Sequence, residues 1–323
     1  MWRDKHRLIL FFFSFLCLSL AGLSLMGKWD GGGYQNIEEN PEKPQSSYES
    51  YFKLPKVYFV EKERDFFKLF SSNMVLNSNN KNIRFFDPKG VVYTQQGSPV
   101  EYEAERGSFE RAQEILSLAQ DVFIKDANSE SRSENMTYDV RKGELKSWGK
   151  VKSLSVDPDT RDRIYIDSDR LTAYPEKELS HHYGNVKGRL ERKRRYEPGI
   201  SFEAGELHLE MKKSHIQLIR DVFMQKQALK AYSNEGEIFM ENYNKKLKYY
   251  VLYDDVKVIE QVKTPQREFE RKAFSEKLEG IASEDLVILT GYPKVLQGGD
   301  VIKGKRILLR VNNEVVEVVD ANS

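Results

Sequence analysis

Ile216-Gln217-Leu218-Ile219-Arg220-Asp221-Val222-Phe223-Met224 decides the fold: apolar residues at alternate positions are interrupted by a polar pair and resume at a valine. Ile216, Leu218, Val222 and Met224 share one parity, as a strand with one buried face requires, and helical spacing is absent from the same window. Working outward, the pattern returns at Leu116 to Val122, Ser147 to Val151, Tyr183 to Val186, Leu252 to Val256 and Leu289 to Pro293, with Phe85-Phe86-Asp87-Pro88 as a possible first copy. The anchor positions 88, 122, 151, 186, 222, 256 and 293 stand 29 to 37 residues apart. A chain that repeats itself at that period is a stack of units, each burying its apolar side against its neighbours. A second, earlier phrase precedes several anchors, at Ala104-Glu105-Arg106-Gly107, Ser168-Asp169-Arg170-Leu171, Ala204-Gly205-Glu206-Leu207 and Ala273-Phe274-Ser275, so two strands per unit are expected. The fold class this predicts is all-β and antiparallel, built from repeats of about 35 residues.

The ends of the chain read differently. Leu8 to Met26 is a run of nineteen residues without a charge, preceded by Arg3, Lys5, His6 and Arg7. About 20 apolar residues cross a hydrocarbon core, and the basic flank puts the N-terminus in the cytoplasm, so residues 1–27 read as a single transmembrane helix. A cleaved signal peptide is the rival reading, but Gly22-Leu23-Ser24 is a poor cleavage site and Cys17 follows a bulky Leu16. Residues 28–50, with Gly31-Gly32-Gly33 and two prolines, read as a flexible tether, and 51–323 as the exported β-repeat domain. The polar stretch 126–136 is the candidate for a subdivision within it. Glu61 to Phe70 admits two readings, early strand or one amphipathic helix. The exported part contains no cysteine, so disulfides do not staple it. With 51 Lys plus Arg against 50 Asp plus Glu, the chain offers no electrostatic footprint for nucleic acid.

Chemistry is sparse. None of the patterns HExxH, GxSxG or a Cys-His spacing occurs, and adjacent His181 and His182 point to opposite faces of a strand, so neither a metal nor a catalytic constellation is expected. Carboxylates are plentiful, but no acid/base pair stands out and no cofactor is called for. Arg192-Lys193-Arg194-Arg195 reads either as a solvated hairpin end or as a grip for lipid phosphates. Ile307 to Val319 reads as a hairpin turning at Asn312-Asn313, whose last strand, with Val315, Val316, Val318 and Val319, either folds back into the domain or offers an edge to another sheet.

Leu289-Thr290-Gly291-Tyr292-Pro293-Lys294-Val295-Leu296-Gln297-Gly298-Gly299, followed by Ile302-Lys303-Gly304-Lys305-Arg306-Ile307, resembles the repeat unit of the OstA-like family. That family holds the periplasmic lipopolysaccharide export proteins LptA and LptC, and a single N-terminal membrane helix before such repeats is similar to the LptC type. The resemblance extends more loosely over Ala104 to Val122 and Tyr183 to Val186, while Arg220-Asp221 and Asp254-Asp255 replace the family's Gly-Asn pair. It implies a twisted, partly open antiparallel β-jellyroll with an apolar groove, no enzymatic activity, and lipopolysaccharide as the cargo. The implied partners are the inner-membrane ABC transporter that extracts this lipid and another OstA-like β-jellyroll protein joined by strand addition. Taken as groove positions are Leu118, Val122 and Ile124 in one unit, Leu218, Val222 and Met224 in another, then Leu252, Val256, Val258 and Leu289. By residue pattern alone the same rows describe the filled core of a membrane-tethered structural or adhesive β-repeat protein. The chain is longer than a usual LptC, so an extended LptC and an LptC-LptA fusion both fit.

Overall fold

The computed structural model describes residues 49–61, 64–77, 82–94, 97–156, 161–193, 198–240, 247–263, 267–281 and 284–319. The membrane helix expected over 1–27 and nearly all of the tether lie outside them. No helix of the described residues is long and apolar enough to cross a membrane.

Short strands open the ladder: β1 (Glu49–Lys53), β2 (Lys56–Glu61), β3 (Arg64–Phe70), β4 (Asn73–Asn77), β5 (Asn82–Phe86), β6 (Lys89–Tyr93), β7 (Pro99–Glu103) and β8 (Arg106–Glu110). Ten longer ones follow: β9 (Ile115–Lys125), β10 (Ser129–Asp139), β11 (Glu144–Val156), β12 (Arg163–Tyr174), β13 (Leu179–Glu191), β14 (Ile200–Glu210), β15 (His215–Lys226), β16 (Leu229–Met240), β17 (Leu247–Lys263) and β18 (Glu268–Ile281). Short strands close it: β19 (Leu286–Thr290), β20 (Lys294–Gln297), β21 (Asp300–Lys303), β22 (Arg306–Arg310) and β23 (Val316–Val319). All recorded pairings are antiparallel, and consecutive long strands are hydrogen-bonded neighbours from β9 to β18. Residues 64–70 are strand, which decides against a helix over Glu61 to Phe70: Phe67 and Leu69 alternate into the core, a period of two.

In β9, β11, β13, β15 and β17, and between β19 and β20, the polar pair of the sequence repeat is a bend, and the ladder turns there. Gln120 and Asp121, Gly149 and Lys150, Gly184 and Asn185, Arg220 and Asp221, Asp254 and Asp255, and Gly291 and Tyr292 all have positive φ. The ladder register shifts at these places, as between Ile219 and Val222 or Tyr253 and Val256. Two consecutive left-handed residues turn the strand and leave backbone groups out of the ladder. On the partner strands, Ser133, Ser168, Ser233 and Ser275 donate their hydroxyls to the carbonyl two residues ahead, which supplies partners where the ladder is interrupted. The valine anchors sit just past the bends and alternate across the ladder with these serines, so the repeat read from the sequence is a column of corners.

The bends divide the ladder into two arms. One arm contains β1, β4, β5 and β8, then the halves Ile115–Ala119 of β9 and Asn135–Asp139 of β10, and so on to β19, β22 and β23. The other contains β2, β3, β6 and β7, the remaining halves of the long strands, and β20 and β21. Inward residues of both arms fall in the same apolar clusters, so the arms face each other. Among the described residues, one such cluster gathers Phe67, Phe85, Tyr102, Leu118 and Val151, and another Ile166, Phe202, Leu218, Val256 and Leu309. The interior changes over β11 to β13. The polar segment 126–136 contains a turn held by Asp126 and paired residues of β10, with Ser133 donating at the bend and Ser131 opposite Ser153.

The C-terminal hairpin forms, but its connection is longer than an Asn-Asn pair. Leu309 opposite Val316 closes the ladder, and only Asn312 in the connection has positive φ. Val315 therefore belongs to the loop and is 55% exposed, while Val316, Val318 and Val319 are on β23.

Candidate functional site: the cleft between the arms

Every residue proposed for a groove points inward and is buried: Leu118, Val122, Ile124, Leu218, Val222, Met224, Leu252, Val256, Val258 and Leu289. The parity of the sequence is thus reproduced side chain by side chain. These residues differ, however, in what lies over them. Leu218, Val222, Met224, Leu252, Val256, Val258 and Leu289 belong to the C-terminal cluster, which is packed from arm to arm.

Ile124 lies elsewhere, at the free rim of the N-terminal half. There Val92, Thr94, Val100, Tyr102 and Ile124 of one arm face Leu116, Met136, Tyr138 and Leu145 of the other across an apolar cleft, with Pro175 at its edge. The space left free is about 20 Å³, so the walls nearly touch. Tyr102 is buried and its hydroxyl donates to the Lys68 carbonyl at 3.2 Å, and burial pushes its phenol well above the usual tyrosine range.

The corresponding rim of the C-terminal half is bolted. Glu260 and Arg271, each 1% exposed, form a buried ion pair on facing strands of one arm. From there Arg271 Nη1 donates to the Asn313 carbonyl at 2.9 Å and Nη2 to the Arg310 carbonyl at 3.0 Å. Glu260 Oε1 accepts from the Asn312 amide at 2.7 Å, and Gln297 Nε2 donates to the Glu314 carbonyl at 2.8 Å. Three of these bonds end on the loop between β22 and β23 and the fourth on Arg310, the last residue of β22, all carried by the other arm. Lys226 adds a link to Asp285 at 3.0 Å. The loop therefore closes the C-terminal end, and no sequence pattern foretold it because its members are up to 52 positions apart.

A second feature missed in the sequence lies between the two clusters. Ser147 and His182 are buried on the inner face of the first arm, flanking Leu171 in one register row. Ser131 and Ser153 face each other on the second arm, hydroxyls 3.3 Å apart. Burial, and less so the neighbouring His181, holds the His182 imidazole neutral, its pKa pushed down to about 3. Its Nδ1 is 3.1 Å from the Ser168 hydroxyl. The visible signal was serine at strand parity, Ser131 and Ser133, then Ser153 and Ser155.

Of the basic run, Arg192 is buried and paired with Asp162 at 2.6 Å, so its guanidinium holds a hairpin end together, while Lys193 is exposed. Arg194 and Arg195 lie outside the described residues. His181 stacks on His208, ring centroids 4.2 Å apart, on the outer face, and no group of three metal-ligating side chains occurs among the described residues. β23 pairs with β22 along one side and is the last strand of its arm among the described residues.

With this geometry in view, residues 15–191 match the model of a family described as lipopolysaccharide-assembly, LptC-related. The chain belongs to that family. As an LptC-related protein it has its role in lipopolysaccharide transport, and the matched region runs to the end of β13, taking in the N-terminal cleft. The bent ladder continues past it for ten further strands. Comparison with curated proteins finds no match. Among solved structures, LptH, the LptA homologous periplasmic component of the lipopolysaccharide transport device from Pseudomonas aeruginosa, is similar at 18% identity, covering 38% of this chain and 82% of its own, with a TM-score of 0.35.

Proposed function

We propose that this LptC-related chain is anchored in the bacterial inner membrane by a single N-terminal helix, and that its periplasmic β-ladder receives lipopolysaccharide acyl chains between the arms and passes them towards the outer membrane. The observation that carries this is the apolar rim from Val92 to Leu145, which falls inside the family match. A buried CH₂ is worth about 0.8 kcal/mol, so exposing a dozen-carbon chain to water costs on the order of 10 kcal/mol. A carrier that crosses an aqueous compartment must offset that cost with a continuous apolar surface, and parting two walls that nearly touch exposes one. Leu118, Val122 and Ile124 lie in this half; Leu218, Val222, Met224, Leu252, Val256, Val258 and Leu289 would extend the track as cargo moves on. Lys193, with Arg194 and Arg195, would meet lipid phosphates. The proposed partners are the ATP-driven transporter that extracts the lipid and a second OstA-like β-jellyroll adding to the Val316, Val318 and Val319 edge. Residues 198–319 are read as units appended to the LptC-like part.

A second reading, a membrane-tethered structural or adhesive protein with a filled core, draws on the tight packing of the C-terminal cluster. The two separate on one experiment. Full-length protein extracted in mild detergent from lipopolysaccharide-producing cells should carry about one lipopolysaccharide per chain by native mass spectrometry; protein free of the lipid, from cells in which depletion leaves the envelope intact, supports the second reading.

A further inference from the structure

Apart from the corner serines and the C-terminal bolt of Lys226, Glu260 and Arg271, the inner faces of the arms are apolar row after row except at β10 to β13. In the first arm, the register row Leu118, Met136, Ser147, Leu171, His182, Leu207 places two polar groups among four apolar ones. In the second arm, the row Ile124, Ser131, Ser153, Ile166 places a serine pair between two isoleucines. Ser133 and Ser168 are accounted for by the corners, like Ser233 and Ser275 elsewhere. Ser147 is not: its residue is 1% exposed and its hydroxyl has no hydrogen-bond partner among the described residues. An unpartnered buried hydroxyl is costly, which makes it a place prepared for a partner. It also lies along the track, since Ser147 pairs with Met136, and Met136 and Leu145 line the N-terminal cleft.

Resting on the reading of the cleft as a lipid site, we infer that the Ser147–Ser131–Ser153 belt binds a neutral hydrogen-bonding group carried on an acyl chain, a hydroxyl or an amide a few carbons from its head. The chemistry of the belt selects this class. Three hydroxyls and an imidazole held neutral supply donors and acceptors without charge, so a phosphate has no counter-ion here, and a plain hydrocarbon leaves Ser147 unpaired. The apolar clusters on either side take the rest of the chain. A site built to hydrogen-bond a hydroxyl disfavours the analogue that lacks it, because its own polar groups then stay unpaired.

Two matched probes test this on the full-length protein in detergent: N-(3-hydroxymyristoyl)glucosamine and N-myristoylglucosamine, each compared by competition against a fluorescent lipopolysaccharide. The N-acyl link is common to both, so only the chain hydroxyl is read. The protein should bind the hydroxylated probe about three- to tenfold more tightly, the range expected for one buried hydrogen bond. Ser147→Ala, which removes a hydroxyl without a partner and should leave the fold intact, should abolish that preference. Equal affinities in the unaltered protein, or a preference that survives Ser147→Ala and Ser131→Ala with Ser153→Ala, overturn the inference and mean that the belt holds water only. Failure of both probes and of the fluorescent lipid to bind at all overturns instead the reading of the cleft on which the inference rests.

Discussion

At the residue scale, the interior holds a few groups whose cost is measurable. His182 is the sharpest. Its folded-state pKa is depressed from 6.5 to about 3, so above 6.5 it is neutral in both states and contributes no pH dependence. Below 6.5 the unfolded chain takes up a proton that the folded chain refuses, and stability falls by about 1.4 kcal/mol per pH unit until the folded pKa is reached. His182→Gln removes this proton uptake, so urea denaturation between pH 7 and pH 5 should show a shallower loss for the variant; parallel curves would mean that the imidazole is protonated in the folded protein. The buried Glu260–Arg271 pair makes a second case. Glu260→Gln leaves a buried guanidinium without its counter-charge, at a cost of about 3 to 5 kcal/mol. Hydrogen exchange should then quicken at the Asn312 amide, which Glu260 now receives. Replacing both partners by methionine should restore much of the stability, since apolar substitutes for a buried pair are often neutral.

The bend is the element on which the rest is built, and it has a rule of its own. Where the bending strand carries a glycine, the neighbour opposite is a carboxylate: a Cβ at Gly149, Gly184 or Gly291 would run into Glu134, Asp169 or Glu276. Where it carries Arg220 instead, the neighbour is Gly205. One side of each of these corners must be small, and the departures from the Gly-Asn pair at Arg220-Asp221 are thereby explained. Gly184→Val, at φ 74° with a Cβ about to meet Asp169, should cost about 1 to 3 kcal/mol in thermal or urea unfolding. Adding Asp169→Gly should recover part of the loss; no recovery would show that backbone strain alone sets the cost. Much of this element was legible in the sequence. Alternating parity and the recurring valine encode local geometry, which a linear pattern can carry. The function of the polar pair was not legible, because positive φ at Gln120, Lys150 or Arg220 is imposed by the ladder rather than by the residue's own preference. Still less could the pattern reveal the bolt of Glu260, Arg271 and Gln297, whose partners meet only when the two arms face each other, or that Arg192 is spent on Asp162.

At the scale of the whole molecule, one ladder folded along a column of corners has two rims with opposite characters. The C-terminal rim is tied by hydrogen bonds to the β22–β23 loop; the N-terminal rim, within the LptC-related match, is lined by apolar side chains with almost no free space between them. On the proposed reading such an arrangement suits a track entered at one end, at the rim whose walls are apolar. The all-β class and the family followed from sequence because repeats propagate along the chain. Which half is closed did not, since the same inward parity describes a dry core and a trough. The most direct test places a photo-crosslinking amino acid at inward Ile124 and, separately, at its outward neighbour Phe123 in cells making lipopolysaccharide. The account predicts a lipopolysaccharide adduct from Ile124 and little or none from Phe123; no adduct from Ile124, or equal adducts from both positions, would contradict it.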